Sequence, residues 1–112
     1  MPEEATKFPC PYLNSEVELT SEREQHIAEN HPDLLPAYRS SIVETLADPD
    51  EVRRSLQLSN AFLFSKRDDV ALGGKNIVIV VMSGSVGKPR NWIVTAYLTR
   101  KLVAGETVWK KN

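Results

Sequence analysis

The sequence NIVIVVM at residues 76–82 contains the longest apolar run of the chain, and most of its side chains are β-branched. Such side chains favour strands, and Gly73, Gly74 and Gly84 bound the run on its two sides. This pattern is typical of a buried central strand of a sheet. The run is far shorter than the roughly 20 residues that a membrane-spanning helix needs, so we expect no contact with a membrane.

Further extended segments lie before and after this central strand. Residues 61–66 place Phe62 and Phe64 on one face, because alternate side chains of a strand point to the same side. Residues 91–99 are rich in aromatic and β-branched residues, and residues 106–109 add a short last strand. The segments between these strands are too short and too polar for parallel crossovers, so the sequence predicts an antiparallel sheet.

Helices are predicted before this sheet. A possible short strand at 17–20 leads into a helix at 21–30, which begins with a capping box of Ser21 and Glu24, with Thr20 as the alternative cap. The helix ends before Pro32, because a proline disfavours the helical conformation of the residue that precedes it.

A second helix is predicted at 34–47. Four of its apolar residues fall on one stripe: Leu35, Tyr38, Ile42 and Leu46. The sequence DPDEV at 48–52 has an acidic cap followed by proline, and it predicts a short third helix that ends near Ser55.

The predicted fold class is therefore α+β, with N-terminal helices packed on one face of an antiparallel sheet of about four strands. Residues 1–15 contain three prolines and are predicted to form an irregular arm, followed by a single domain at 16–112. A chain of 112 residues with 41% hydrophobic and 26% charged residues has the composition of one globular domain rather than of a disordered segment.

The numbers of cysteine and histidine residues limit the disulfides and metal sites that the chain can form. Cys10 is the one cysteine, which excludes an internal disulfide, and with two histidines the chain lacks the usual ligands of a zinc site. We therefore expect no metal and no cofactor. The first ten residues are acidic at the start and lack an apolar core, so they do not resemble a signal peptide, and we expect a cytoplasmic location.

The net charge of −1 hides an asymmetry along the chain. Residues 1–59 hold 5 Lys/Arg and 12 Asp/Glu, a balance of −7, whereas residues 60–112 hold 9 and 3, a balance of +6. This separation indicates either an anionic partner for the basic half or a solvated surface that keeps the protein in solution.

His26 and His31 are the two histidines of the chain. Histidine has a reference pKa of about 6.5 and is the usual proton carrier of metal-free catalysis near neutrality. On a continuous helix their spacing puts them roughly 140° apart, but the break at Pro32 allows both to reach one cleft. In the alternative interpretation, His31 provides positive charge at the helix C-terminus and His26 covers the edge of the core.

A second group of candidate residues lies on the strands. Thr95 and Tyr97 are two residues apart on the late strand and share a face. Lys66 and Arg67 end the early strand, and Arg90 lies just before the late one. Hydroxyls and cations on one face are suited to hold a phosphodiester. Otherwise Tyr97 is an aromatic residue of the core and Thr95 is simply a strand former.

Three stretches carry a resemblance to a known family: VELTSEREQHIAENHPDLLPAY at 17–38, ETLADPDEVRRS at 44–55 and NWIVTAYLT at 91–99. They resemble small phage and bacterial domains of the barnase/EndoU/colicin/RelE-like (BECR) nuclease fold, over about residues 17–99. The resemblance implies helices on an antiparallel sheet and metal-independent cleavage of RNA without a cofactor.

Carried over by position, the resemblance implies roles for individual residues. His26 and His31 match the histidines of the helix region, and Thr95 and Tyr97 match the polar positions of the late strand; these four would be catalytic. The basic residue that ends the earlier strand would be Lys66 or Arg67, and Arg90, from its place before the late strand, is the third candidate substrate-binding cation.

Two functions of different class follow from these observations. The first is a small endoribonuclease, toxin-like or phage-derived, that cleaves RNA by general acid–base catalysis. The alternative is a non-catalytic module on the same fold that binds RNA or a protein partner such as an antitoxin or an immunity protein. The sequence pI of about 6.1 is low for a general nucleic-acid-binding domain, so a nucleic-acid site would need a locally basic surface.

Overall fold

The computed structural model describes residues 5–69, 72–85, 88–102 and 104–111. In chain order, the elements are β1 (Ala5–Cys10), a 3₁₀ turn (Pro11–Leu13), β2 (Ser15–Thr20), α1 (Ser21–Asn30), α2 (Arg39–Ala47), β3 (Glu51–Arg54), β4 (Ala61–Asp68), β5 (Lys75–Ser85), β6 (Lys88–Thr99) and β7 (Glu106–Lys110).

All seven strands belong to one sheet in the order β1-β2-β6-β5-β4-β3-β7. The long strands β4, β5 and β6 follow one another as antiparallel neighbours at its centre, as the sequence predicts. One pair is parallel: β2 meets β6 at Glu18 and Trp92. Because β6 runs on past the end of β2, the helix α1 that follows β2 contacts both of these strands.

The predicted fold class is wrong. The described residues are mostly sheet and form seven strands instead of about four, and their first helix follows two strands instead of preceding the sheet. The predicted irregular arm at 1–15 is also wrong over Ala5–Cys10, which forms β1, while residues 1–4 lie outside the described residues. The prolines misled the prediction, because an edge strand tolerates a proline such as Pro9.

The predicted third helix is a strand, β3. The carboxylate of Asp50, which was expected to help start a helix, accepts the backbone N–H of Arg67 at 2.9 Å, and the Asp50 N–H donates to the Ser65 carbonyl at 2.8 Å. Val52 is fully buried beside β4. Long-range pairing with β4 therefore outweighs the local helix-start signal.

The other two predicted helices are confirmed, but the second one begins later than predicted. Helix α1 covers the predicted range, and Thr20 is its cap, since its hydroxyl accepts the Arg23 N–H at 3.2 Å. Helix α2 begins at Arg39 instead of residue 34. Pro36 lacks a backbone N–H and restricts Leu35, so the segment before α2 forms turns. Among the described residues, neither helix has the length and apolar character needed to cross a bilayer.

The core lies between the helices and one face of the sheet. The predicted stripe is confirmed for its three aliphatic members, which are buried, and Tyr38 packs partly buried against them. Phe62 and Phe64 share the core-facing side of β4, as predicted. The largest fully buried side chains are Leu19, Ile27, Leu34, Leu35, Ile42, Leu46, Phe64, Ile77, Ile79 and Ile93.

Substitution of Ile42 by alanine is expected to lower the free energy of unfolding by about 2–5 kcal/mol, the usual cost of truncating a buried large aliphatic side chain. Ile42 is 0% exposed in the middle of α2. Leu56→Ala is the control, because Leu56 is 76% exposed and its loss is expected to stay within about 0.5 kcal/mol. Urea unfolding measures both, and an equal loss for the two variants would contradict this placement of the core.

Candidate functional site

The side of the sheet opposite the helices, here called the open face, carries Thr95 and Tyr97, and its residues Val78, Ser65 and Glu51 are buried. Tyr97 lies opposite Val78, Val78 opposite Ser65, and Ser65 opposite Glu51, so these four form one row across β6, β5, β4 and β3. Directly opposite residues of antiparallel strands project to the same side. The alternate residues of these strands, such as Ile79, belong to the core.

A small open depression of about 60 Å³ lies in this face. Its lining includes the hydroxyl residues Ser65, Tyr97 and Thr99, and the cationic residues Arg53 and Lys101. Small-molecule sites usually measure about 300–1,000 Å³. The depression therefore suits a small polar group of a larger ligand that lies across the face, and it does not enclose a whole small molecule.

Tyr97 has the ring of His31 beside it. The two ring centroids are 6.2 Å apart with the planes inclined by 39°. The backbone fixes the position of His31 after α1, since its N–H donates to the Ile27 carbonyl at 2.7 Å and its carbonyl accepts the N–H of Leu34 at 3.0 Å. Burial raises the pKa of the Tyr97 phenol, so this hydroxyl carries its proton at neutral pH.

Thr95 lies one row along β6 from Tyr97, opposite Val80. It is partly buried and, being two residues away, lies on the same face of the sheet. The structure thus places Thr95 and Tyr97 on one face of β6 and His31 beside Tyr97, while neither His31 nor Thr95 lines the depression.

His26 is placed apart from these three. It is exposed on α1, and the shallow pocket that it lines, of about 410 Å³, is formed only by residues of that helix. Asn30 contacts it from the next turn: its side-chain amide donates to the His26 carbonyl at 2.8 Å, and the same amide nitrogen is 3.4 Å from Nε2. His31 is not among the residues of this pocket, so the structure does not join the two histidines as a pair.

The three predicted substrate-binding cations each have a carboxylate partner. Lys66 Nζ donates to the Asp48 carbonyl at 2.9 Å and lies 3.5 Å from the carboxylate of that residue. Arg67 pairs with Asp69 at 2.8 Å. None of the three cations lines the depression.

Arg90 lies at the other end of β6. It pairs with Glu18 at 3.2 Å and lies over the Trp92 ring, 5.3 Å from the centroid. It precedes Tyr97 by seven residues of a strand, or roughly 23 Å at about 3.3 Å per residue. Arg90 is therefore too distant to bind the same phosphate as Tyr97.

Sequence reasoning missed both cations that line the depression, Arg53 and Lys101; the position of Arg53 is fixed by hydrogen bonds. Its Nε donates to Glu51 at 2.6 Å, its Nη1 donates to the Ala104 carbonyl at 3.3 Å, and the Thr107 hydroxyl donates to the same Glu51 oxygen. Burial disfavours the charge of Glu51, but the hydrogen bonds from Thr107 and Arg53 outweigh it and hold the pKa of this carboxyl below its ordinary value. The ionised Glu51 therefore fixes the direction of the Arg53 guanidinium.

The missed signal was the alternation of Glu51 and Arg53 in the sequence EVRR. Read as a strand, it places both side chains on one face, but the preceding Asp-Pro was interpreted as the start of a helix. Among the residues that the structure describes, no cluster of His, Cys, Asp and Glu is arranged to hold a metal ion.

Comparisons with family models, with curated proteins and with solved structures found no significant match to this chain.

Proposed function

We propose that this protein is a small metal-independent endoribonuclease whose proton transfers are made by His31 and Tyr97 on the open face of the sheet. The observation that carries the proposal is the position of the His31 ring beside Tyr97, 6.2 Å between centroids, where Tyr97 lines a depression that also contains cations. The resemblance to the BECR nucleases points to the same activity. We include in this proposal that the nuclease is toxin-like or phage-derived.

In the proposed reaction, the 2′-oxygen of the RNA attacks the adjacent phosphorus while His31 takes the 2′-hydroxyl proton. The bond from phosphorus to the 5′-oxygen breaks, and Tyr97 gives its proton to that leaving oxygen. The products are a 2′,3′-cyclic phosphate and a 5′-hydroxyl end. The Tyr97 phenol is protonated at neutral pH and so holds the proton that this step needs, but burial raises its pKa and makes it a weaker acid than an ordinary tyrosine.

The charge that develops on the phosphoryl oxygens needs preorganised donors. Arg53 is held by Glu51 and lines the depression, and Lys101 adds an exposed cation at its edge. The hydroxyl of Thr95, on the same face, is a further donor to the phosphate, whereas the Thr99 hydroxyl already donates to the Lys101 carbonyl at 3.0 Å. RNA would lie across the open face, with only the reacting phosphate in the depression.

The test is a cleavage assay on single-stranded, structured and ribosomal RNA, with and without a chelator. We expect cleavage that the chelator leaves unchanged and products with cyclic phosphate ends, identified by mass spectrometry. The matched control is an oligonucleotide with one 2′-deoxy nucleotide at the cleaved position, which should resist cleavage there. A folded protein that cleaves none of the three RNAs, or that loses its activity with the chelator, would overturn the proposal.

The second candidate is a non-catalytic module that binds RNA or a protein partner such as an antitoxin or an immunity protein. Its support is the pairing of basic side chains with carboxylates: Arg53, Lys66, Arg67 and Arg90 all lie in ion pairs. Such pairing lowers the positive potential that attracts a polyanion, so within this candidate it favours the protein partner over RNA. In the assay above, this candidate predicts a folded protein without cleavage.

A further inference from the structure

Two aromatic side chains meet in a cleft beside strand β7, on the side of the sheet that the helices cover. Tyr12 lies in the turn between β1 and β2, and its ring centroid is 6.2 Å from that of Trp109, with the planes inclined by 60°. Edge contacts with Phe62 and Phe64, at 6.2 and 5.8 Å between centroids, fix the position of the Tyr12 ring. Both rings of the cleft are still more than one-third exposed, Tyr12 at 37% and Trp109 at 38%. They therefore form a fixed aromatic surface that a ligand can contact.

The cleft has the size and lining for one flat ring system. Its volume is about 290 Å³, near the lower end of the range of small-molecule sites. The charged residue of its lining is Asp48, whose carboxylate pairs with Lys111 at 2.9 Å and with Lys66 at 3.5 Å. These lysines neutralise the carboxylate toward an anionic ligand, and its remaining lone pairs can accept the N–H groups of that ligand. The other lining residues are Pro11, Ala47 and Pro49, together with the two rings.

The cleft lies on the other side of β7 from the depression of the open face. Arg53, which lines the depression, is opposite Thr107, whereas Trp109 is opposite Val52, a fully buried residue of the core. The register shifts between Val52 and Arg53, so Val108 is the extra residue of a bulge, and Thr107 and Trp109 project to opposite sides of the sheet. Since β7 is the edge strand, a chain that leaves the depression over this edge meets Trp109.

The balance of charge at this end of the sheet favours a polyanion. The charged residues that line the depression or the cleft, with their direct ion-pair partners, are Arg53, Lys66, Lys101 and Lys111 against Asp48 and Glu51. Cations are in excess here, although the whole chain has a net charge of −1. The small pocket at the other edge of the sheet has no such excess, because its lining sets Lys7 and Arg90 against Glu16 and Glu18. RNA is therefore attracted to the β7 end.

Resting on the ribonuclease proposed above for the identity of the ligand, we propose that Tyr12 and Trp109 bind an unpaired base of the RNA, next to the cleaved site along the strand. The base stacks on the two rings, and the Asp48 carboxylate accepts one of its N–H groups. Stacking on aromatic rings is available to every base, so this cleft selects single strands without reading a particular sequence. The faces of paired bases are covered inside a duplex. The substrate is therefore single-stranded RNA that is long enough to pass over β7.

The first test measures binding of an RNA oligonucleotide that carries 2′-O-methyl groups throughout and so cannot be cleaved. Trp92→Phe leaves Trp109 as the one tryptophan of the chain, and we expect the single-stranded oligonucleotide to quench its fluorescence and the duplex form to quench it much less. In fluorescence anisotropy with a labelled oligonucleotide, Trp109→Leu should weaken binding roughly tenfold, within the range of base–aromatic stacking. The matched controls are Tyr12→Phe, which keeps the ring, and Leu56→Ala, which removes an exposed apolar side chain outside both sites. Both should bind as wild type does.

A second measurement distinguishes the cleft from the catalytic proposal. With cleavable RNA, Trp109→Leu should raise KM on a long single strand and leave kcat/KM on a dinucleotide unchanged, because a dinucleotide in the depression does not extend to the cleft. Circular dichroism confirms that each variant is folded. Single-stranded RNA that binds through Trp109 without being cleaved would overturn the nuclease proposal and support the cleft as an RNA site.

Three outcomes would overturn the role of the cleft, whether or not the protein cleaves RNA. The first is a folded Trp109→Leu variant with the RNA affinity of the wild type. The second is equal quenching of Trp109 by the single strand and the duplex. The third is quenching by a proline-rich peptide and not by RNA, which would assign the aromatic rings to a protein partner.

Discussion

Alanine in place of His31 is expected to reduce the rate of RNA cleavage by roughly 10²–10⁴-fold, the usual contribution of one general acid or base. His31 lies beside Tyr97 at the open face, so its loss removes the proposed acceptor of the 2′-hydroxyl proton. Tyr97→Phe keeps the ring and removes the proton donor, and we expect a loss in the same range. The measurement is kcat/KM on an RNA oligonucleotide, with circular dichroism to confirm folding.

His26→Ala is the matched control for this prediction. His26 is exposed on α1 and lines a pocket formed only by that helix, so its loss should leave kcat/KM near the wild-type value. Equal losses for the two histidine variants would instead support the pairing of His26 and His31 that the sequence allowed. A His31→Ala variant with wild-type activity would place the reaction elsewhere.

The pH dependence of cleavage tests the proposed role of Tyr97. The acid must stay protonated, and burial raises the pKa of Tyr97 above its ordinary value. The fall of activity in alkali should therefore begin above the ordinary range of tyrosine, and Tyr97→Phe should remove it.

Elements with a strong local pattern were predictable from the sequence. Helix α1 has the predicted range, and the apolar run at 76–82 lies inside β5 at the centre of the sheet. The elements that failed depend on pairing with another strand rather than on their own residues. β1 is a strand because it pairs with β2 at the edge, and β3 because it pairs with β4 and β7. Their local signals, proline and a helix start, pointed the other way.

The residues of the candidate site likewise differ in whether a local sequence pattern predicts their position. Alternation along one strand is local, so the sequence placed Thr95 and Tyr97 on one face. The approach of His31 to Tyr97 depends on the parallel pairing of β2 with β6, which directs α1 along the later part of β6. No local pattern encodes that pairing. Arg53 was missed for the related reason that β3 was not recognised as a strand.

Alanine in place of Phe64 is expected to lower the free energy of unfolding by about 3–5 kcal/mol, the usual cost for a buried phenylalanine. Phe64 is 0% exposed and lies between Val52 and Ile79 in the register of β3, β4 and β5. The edge of the Tyr12 ring approaches it, with 5.8 Å between centroids. The loss is a large share of the roughly 5–15 kcal/mol that stabilises a typical domain.

Phe62→Ala is the matched control, since the same substitution is made two residues away on the same strand and face. Phe62 is only partly buried, and the Arg54 guanidinium lies over its ring at 5.9 Å, so part of the surface exposed by truncation is already near solvent. In urea unfolding, Phe62→Ala should lower the free energy of unfolding clearly less than Phe64→Ala does. Truncation leaves a costly cavity only where water cannot enter and the neighbouring side chains cannot fill the space. Equal losses would mean that the core extends to the first residues of β4. The alternation of the two phenylalanines would then identify the buried face of the strand but not the centre of the core.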